Sequence, residues 1–212
     1  MRAILLSAWM TGAAVLGPMS ALVAGSPGTG TPARPPHSDH PYEGVPERFP
    51  EHPAVGEVAP DFQLRDTEGR QWALGEYLGR GYLALMFGSA SSAQFRTSAP
   101  GLDRLARDWE RLEVRALIVY TREAHPATLK GEAPRDYPQR AALARRTREE
   151  MKVKVRFLVD EWNDAVHKAY GAMPDAAFLL DSRGTIVLRQ PRADPAALRK
   201  ELSRLLRVTE SP

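Results

Sequence analysis

Apolar and polar positions change period several times along the chain, and each change marks an element. Tyr82-Leu83-Ala84-Leu85-Met86-Phe87 is an almost unbroken apolar run between Gly81 and Gly88, the pattern of a short strand buried on both faces. Beyond it, Leu102, Leu105, Trp109 and Leu112 recur at the spacing of one helix face, with Asp103, Arg104, Arg107, Asp108 and Glu110 between them. Val114 to Tyr120 predicts a second buried strand, and Pro138 to Met151 is helical in composition, with Pro138 suited to a first turn. Val155 to Val159 predicts a third strand and Trp162 to Tyr170 a short helix. Ala176 to Leu180 and Thr185 to Arg189 form a hairpin turned at Asp181-Ser182-Arg183-Gly184, and Leu198, Leu202, Leu205 and Leu206 line a last amphipathic helix. Ahead of all these, Val58 to Asp66 and Gln71 to Leu74 read as an N-terminal β-hairpin turned at Asp66 to Gly69. This order predicts an α/β fold with a central mixed sheet flanked by helices, because helical crossovers join parallel strands while a hairpin is antiparallel.

The first residues follow a different rule. Arg2 precedes the apolar runs Ala3 to Met10 and Ala13 to Ala24, broken by Gly12, Gly17 and Pro18 and ending in small residues at Ala24-Gly25. Residues 1–25 therefore read as a signal peptide with a cleavage site, and no stable membrane span is expected after its removal. The expected location is secreted or periplasmic, with membrane retention by an uncleaved signal as the alternative. Residues 26–53, rich in Pro, Gly, Ser and His, read as a flexible tether. Residues 54–208 remain as one domain, long enough to bury a continuous core.

Composition removes several kinds of chemistry. The chain has 212 residues and no cysteine, so neither a disulfide nor a thiolate is available to it. Its sequence pI is about 9.3 but its formal net charge is only +3. Basic and acidic residues alternate along the helices, which does not point to nucleic acid. Arg140, Arg145, Arg146 and Arg148, relieved by Glu149 and Glu150, read as a solvated helix face. His37, His40 and His52 read as tether residues, and His167 as a half-buried packing residue. Asp160, Glu161 and Asp164 lack a metal motif, so neither a metal nor a cofactor is expected.

Ligand chemistry in α/β sheets gathers at the carboxyl ends of the strands, which directs attention to Gly88-Ser89-Ala90-Ser91-Ser92-Ala93-Gln94-Phe95. Three segments carry a resemblance: this loop, Tyr120-Thr121-Arg122-Glu123-Ala124-His125-Pro126 after the second strand, and Tyr170-Gly171-Ala172-Met173-Pro174 before the hairpin. Together they resemble iodothyronine deiodinase-like and peroxiredoxin-like thioredoxin-fold proteins over roughly Val55 to Leu206. The resemblance implies a thioredoxin-like fold, a cis Met173-Pro174 bond, and a reactive loop whose cysteine and selenocysteine or cysteine positions are Ala90 and Ser92 here. It also implies a substrate-assisting role for His125.

The reactive atom is absent. A soft thiolate or selenolate at a helix N-terminus ionises near neutral pH, and a serine hydroxyl does not. The bland reading of Ser89, Ser91 and Ser92 is helix capping. Two functional readings follow. The first is a non-redox ligand- or protein-binding module presenting Ser89, Ala90, Ser91, Phe95, Met173 and Pro174 to a small aromatic ligand or an extended peptide. The alternative is an enzyme, either a deiodinase-like or peroxidase-like oxidoreductase by family resemblance or a hydrolase using Ser92, His125 and Glu123.

Overall fold

The computed structural model describes residues 46–207, so the expected signal peptide and most of the expected tether lie outside the described residues. Seven strands, β1 (Gln63–Asp66), β2 (Gln71–Ala73), β3 (Tyr82–Gly88), β4 (Val114–Tyr120), β5 (Arg156–Val159), β6 (Ala177–Leu180) and β7 (Ile186–Gln190), form one sheet in the order β2-β1-β5-β4-β3-β6-β7. β3, β4 and β5 are parallel, while β1 runs antiparallel to β5, and β6 antiparallel to both β3 and β7. The N-terminal hairpin thus extends the sheet at one edge, and the closing hairpin at the other.

The apolar runs are strands because both of their faces are covered. Alternate residues of a strand point to opposite faces, and here Leu83, Leu85 and Phe87 enter one core while Ala84 and Met86 enter the other. The core holding Ala84 and Met86 is closed by α1 (Ala93–Asp108), α2 (Tyr137–Glu150) and α4 (Pro195–Leu206), through Phe95, Leu102, Leu105, Leu143, Leu198 and Leu202. The opposite core is closed by Val166 of α3 (Ala165–Ala169), by Tyr170, and by Phe62 and Leu74 beside the N-terminal hairpin.

Two expectations change here. Leu112 lies past the end of α1 in a 3-10 turn and is 40% exposed, so the buried stripe stops at Trp109. The expected tether ends sooner than Pro53. Phe49 packs on Phe178 with ring centroids 6.0 Å apart, Arg189 stacks on Phe49, and the carbonyls of Pro50 and Glu51 accept from Arg189. The Phe49 ring and the Arg189 guanidinium hold this segment on the sheet.

Candidate functional site

The site forms where β3, β4 and β5 end and β6 begins. Parallel β3 and β4 finish side by side, with Gly88 opposite Tyr120 and the Thr121 amide donating to the Gly88 carbonyl at 3.0 Å. Because β6 is antiparallel to β3, pairing Ala177 with Met86, the residues just before β6 arrive at the same end. The loop after β3, the loop after β4 and the Met173–Asp175 segment are thereby brought together from distant parts of the chain.

Serine hydroxyls act as struts in the first loop. Ser92 is the N-cap of α1, its Oγ accepting from the Phe95 amide at 3.1 Å, which satisfies one of the orphan N–H groups of the first turn. Ser89 and Ser91 do not cap the helix. Ser89 Oγ accepts from the Ala124 amide at 3.1 Å and Ser91 Oγ from the His125 amide at 2.9 Å, so both tie the loop to the segment after β4. Ser92 is 3% exposed and Ala90 4%. Phe95 is wholly buried against Tyr120 and Phe157 and has no surface to offer a ligand. Its ring also occupies the space a Gly88 side chain would need, with Cδ2 1.9 Å from an ideal Cβ at that position.

Glu123 is a brace. Its Oε1 accepts from the Tyr120 hydroxyl at 2.5 Å and its Oε2 from the Ser91 amide at 2.8 Å, while the Ala90 amide donates to Tyr120 Oη at 3.0 Å. Burial pushes the Tyr120 hydroxyl well above the ordinary tyrosine range, with the Glu123 charge adding to it, so the phenol keeps its proton. Both Glu123 oxygens are thus engaged away from an imidazole. His125 is exposed and begins a short 3-10 turn led by Pro126.

Sequence reasoning stopped one residue short of a participant. Asp175, next to Pro174, lies against Ser92. Burial raises its carboxyl above the usual range, opposed by the neighbouring Ser92 hydroxyl and by the positive charge of Arg192. Asp175 Oδ1 is itself buried without a hydrogen-bond partner among the described residues. The available signal was an acidic residue directly ahead of an apolar strand that turns back antiparallel. The Met173-Pro174 bond is trans, since the described residues contain a single cis bond, at His52-Pro53. The Met173 carbonyl is instead hydrogen-bonded to His167 Nε2 at 3.0 Å.

A buried polar cluster supports the segment after β4 from beneath. Asp164 meets Arg140 at 3.0 Å and Arg122 at 3.2 Å, and Arg140 also donates to the carbonyls of Asp160 and Glu161. Arg140 is only 2% exposed, so of the basic stretch read as a solvated face it is the residue that turns inward. His167 is 1% exposed rather than half-buried, and burial depresses its pKa to about 4.

This geometry defines a thioredoxin-like domain, and solved structures share the fold. A thioredoxin domain of a thiol-disulfide oxidoreductase from Bacteroides vulgatus superposes with a TM-score of 0.57 at 21% identity, covering 72% of this chain and 97% of that one. A peroxidoxin from Mycobacterium tuberculosis gives 0.55 at 16% identity, covering 74% of this chain and 98% of that one. A secreted disulfide oxidoreductase from the same organism gives 0.53 at 14% identity, covering 68% and 95%. The chain belongs to the AhpC/TSA family, whose model matches residues 55–190. No curated protein matches it.

Proposed function

We propose that this chain is an exported, non-redox member of its family that binds a ligand or an extended peptide at the Ser92, His125 and Met173–Asp175 surface. One observation carries the reading: the Ser92 hydroxyl, at the position the family resemblance gives to the reactive thiol or selenol, is taken up as the cap of α1 by the Phe95 amide, with the Asp175 carboxyl nearby. A helix N-terminus favours a negative charge. A thiolate there would use that field, but a carboxylate beside it would raise the thiol pKa by like-charge repulsion. Here the acidic group at the helix terminus is Asp175, and Ser92 stays a neutral hydroxyl. A deiodinase-like or peroxidase-like cycle lacks its reactive atom, since the chain has no cysteine. A Ser92-His125-Glu123 hydrolase is not favoured either, because the Glu123 oxygens serve Tyr120 and Ser91. Export rests on the apolar N-terminal pattern.

The test is a turnover assay of the chain with hydrogen peroxide, an aryl iodide and an external thiol reductant. The natural sequence should give background rates. Ala90→Cys/Ser92→Cys should gain weak activity, and the same variant with Asp175→Asn should gain more as its thiol pKa falls. Activity in the natural sequence that Ser92→Ala abolishes would refute the reading. Equal thiol pKa values with and without Asp175→Asn would remove the role given to Asp175. Mass spectrometry of the protein recovered outside the cytoplasm tests export through loss of the first residues.

A further inference from the structure

At the opposite end of the sheet from Ser92, where β4 and β5 begin, lies an open groove of about 470 Å³. Its walls are the end of α1 and the turn after it, the β1–β2 turn, and the first residues of β4 and β5. Val114, Ala116 and Val155 contribute apolar surface, and six cations line it: Arg70, Arg107, Arg115, Arg148, Lys154 and Arg156.

Most of these cations are already neutralised. Arg107 pairs with Asp103, and Arg148 with Glu68 at 3.0 Å. Arg70 and Arg156 share the buried Asp66 at 3.5 and 3.8 Å, and Arg156 stacks on Trp72 at 3.4 Å from the ring centroid. Asp103 is further occupied at Oδ1 by the amides of Lys154 and Val155, so it is a fixed part of the wall. Two cations remain. Among the described residues Arg115 donates only to the Arg80 carbonyl and has no carboxylate partner, and Lys154 has no ion pair. Glu110 is the one lining carboxylate outside these pairs. Six cations against Glu68, Asp103, Glu110 and Asp66 leave an excess of two positive charges around the groove. A guanidinium and an ammonium match oxyanions in charge, and the guanidinium also in geometry.

We infer that this groove binds a small multivalent oxyanion of the phosphate type, held by Arg115 and Lys154 at its rim. The site is separate from the Ser92 surface and stands whether or not the functional reading above is correct.

The experiment is calorimetric titration of the full chain with inorganic pyrophosphate, the ionic strength being held constant with sodium chloride. Saturable binding to one site is expected, with backbone amide shifts in labelled protein centred on Ala116, Lys154 and Val155. Arg115→Gln/Lys154→Gln should weaken binding about tenfold or more, since charge-assisted hydrogen bonds are lost. Arg204→Gln, on α4 and paired with Glu201, should leave affinity unchanged. Phosphate and phenyl phosphate identify the source: a preference for phenyl phosphate assigns an organic ester whose body covers the apolar floor, and the reverse assigns the free anion. The inference is overturned if no saturable binding occurs at matched ionic strength. It also falls if the natural protein shows no shifts at the groove, if the double variant, shown by circular dichroism to be folded, binds as tightly as the natural sequence, or if Arg204→Gln weakens binding equally.

Discussion

The Tyr120 hydroxyl donates to Glu123 Oε1 at 2.5 Å, and from this pair two further hydrogen bonds reach the Ala90 and Ser91 amides. A strand end and the loop that follows it therefore hold a second loop that lies about thirty residues earlier in the chain. Removing either partner leaves buried donors without acceptors, at about 1–3 kcal/mol for each such group. Glu123→Ala is expected to destabilise the domain by about 2–4 kcal/mol, and Tyr120→Phe by about half as much. Urea unfolding of both variants checks this, and a Glu123→Ala loss below that of Tyr120→Phe would show that Glu123 is not the brace.

Gly88→Ala tests the contact between the site loop and the core. An added methyl would sit far inside van der Waals contact with the Phe95 ring, and Phe95 is itself locked between Tyr120 and Phe157. Overpacking of this sort costs about 1–3 kcal/mol or more. Gly88→Ala/Phe95→Leu should recover part of the loss, because the smaller side chain opens the space. A thermal melt in which Gly88→Ala matches the natural protein would contradict the packing described.

Arg140→Leu removes the buried cation between Asp164 and the carbonyls of Asp160 and Glu161. Breaking a buried pair strands the remaining charge and costs about 3–5 kcal/mol. Arg145→Leu, on the exposed side of α2, should change stability by less than about 0.5 kcal/mol. Comparable losses at both positions would mean that Arg140 is solvated after all.

Two buried groups set opposing pH dependences. Burial raises the Asp160 carboxyl from 3.8 to about 6 and lowers the His167 imidazole from 6.5 to about 4. Between those values the folded state holds more protons than the unfolded state at Asp160, so its contribution is full below about pH 4 and is lost as pH rises through about 6. At His167 the unfolded state holds more, so its contribution is full above about pH 6.5 and is lost as pH falls through about 4. Each is worth on the order of 3 kcal/mol, with opposite sign. The natural protein should therefore show little net slope from these groups between about pH 4 and 6.5. His167→Asn should make stability fall with rising pH across this window, and Asp160→Asn should make it rise. Chemical denaturation at several pH values measures the slopes, and unchanged slopes in both variants would refute the assignment.

The fold was legible because strand burial is written in local composition. The run Tyr82 to Phe87 could only be a strand covered on both sides, and the four-residue turn at Asp181 to Gly184 closed its hairpin as expected. Ser92 as a helix cap was legible for the same reason, since capping depends on neighbours three residues away. Arg140 was not legible, because a charge run shows which residues are basic and not which one faces inward toward Asp164.

What the sequence alone determined is therefore local: the strands, most of each helix, the order that makes the sheet mixed, and the absence of any thiol. Tertiary structure decided what depends on chain reversal. The antiparallel return of β6 sets Asp175 beside Ser92, residues 83 positions apart in the sequence. The joining of two loops makes Glu123 a brace between Tyr120 and the Ser91 amide. The meeting of α1, the end of α2, the β1–β2 turn and the starts of β4 and β5 gathers six cations into one groove. Hydrogen bonds and charge interactions act over a few ångströms in space, and spacing along a chain does not state which distant residues will share that distance until the sheet has closed.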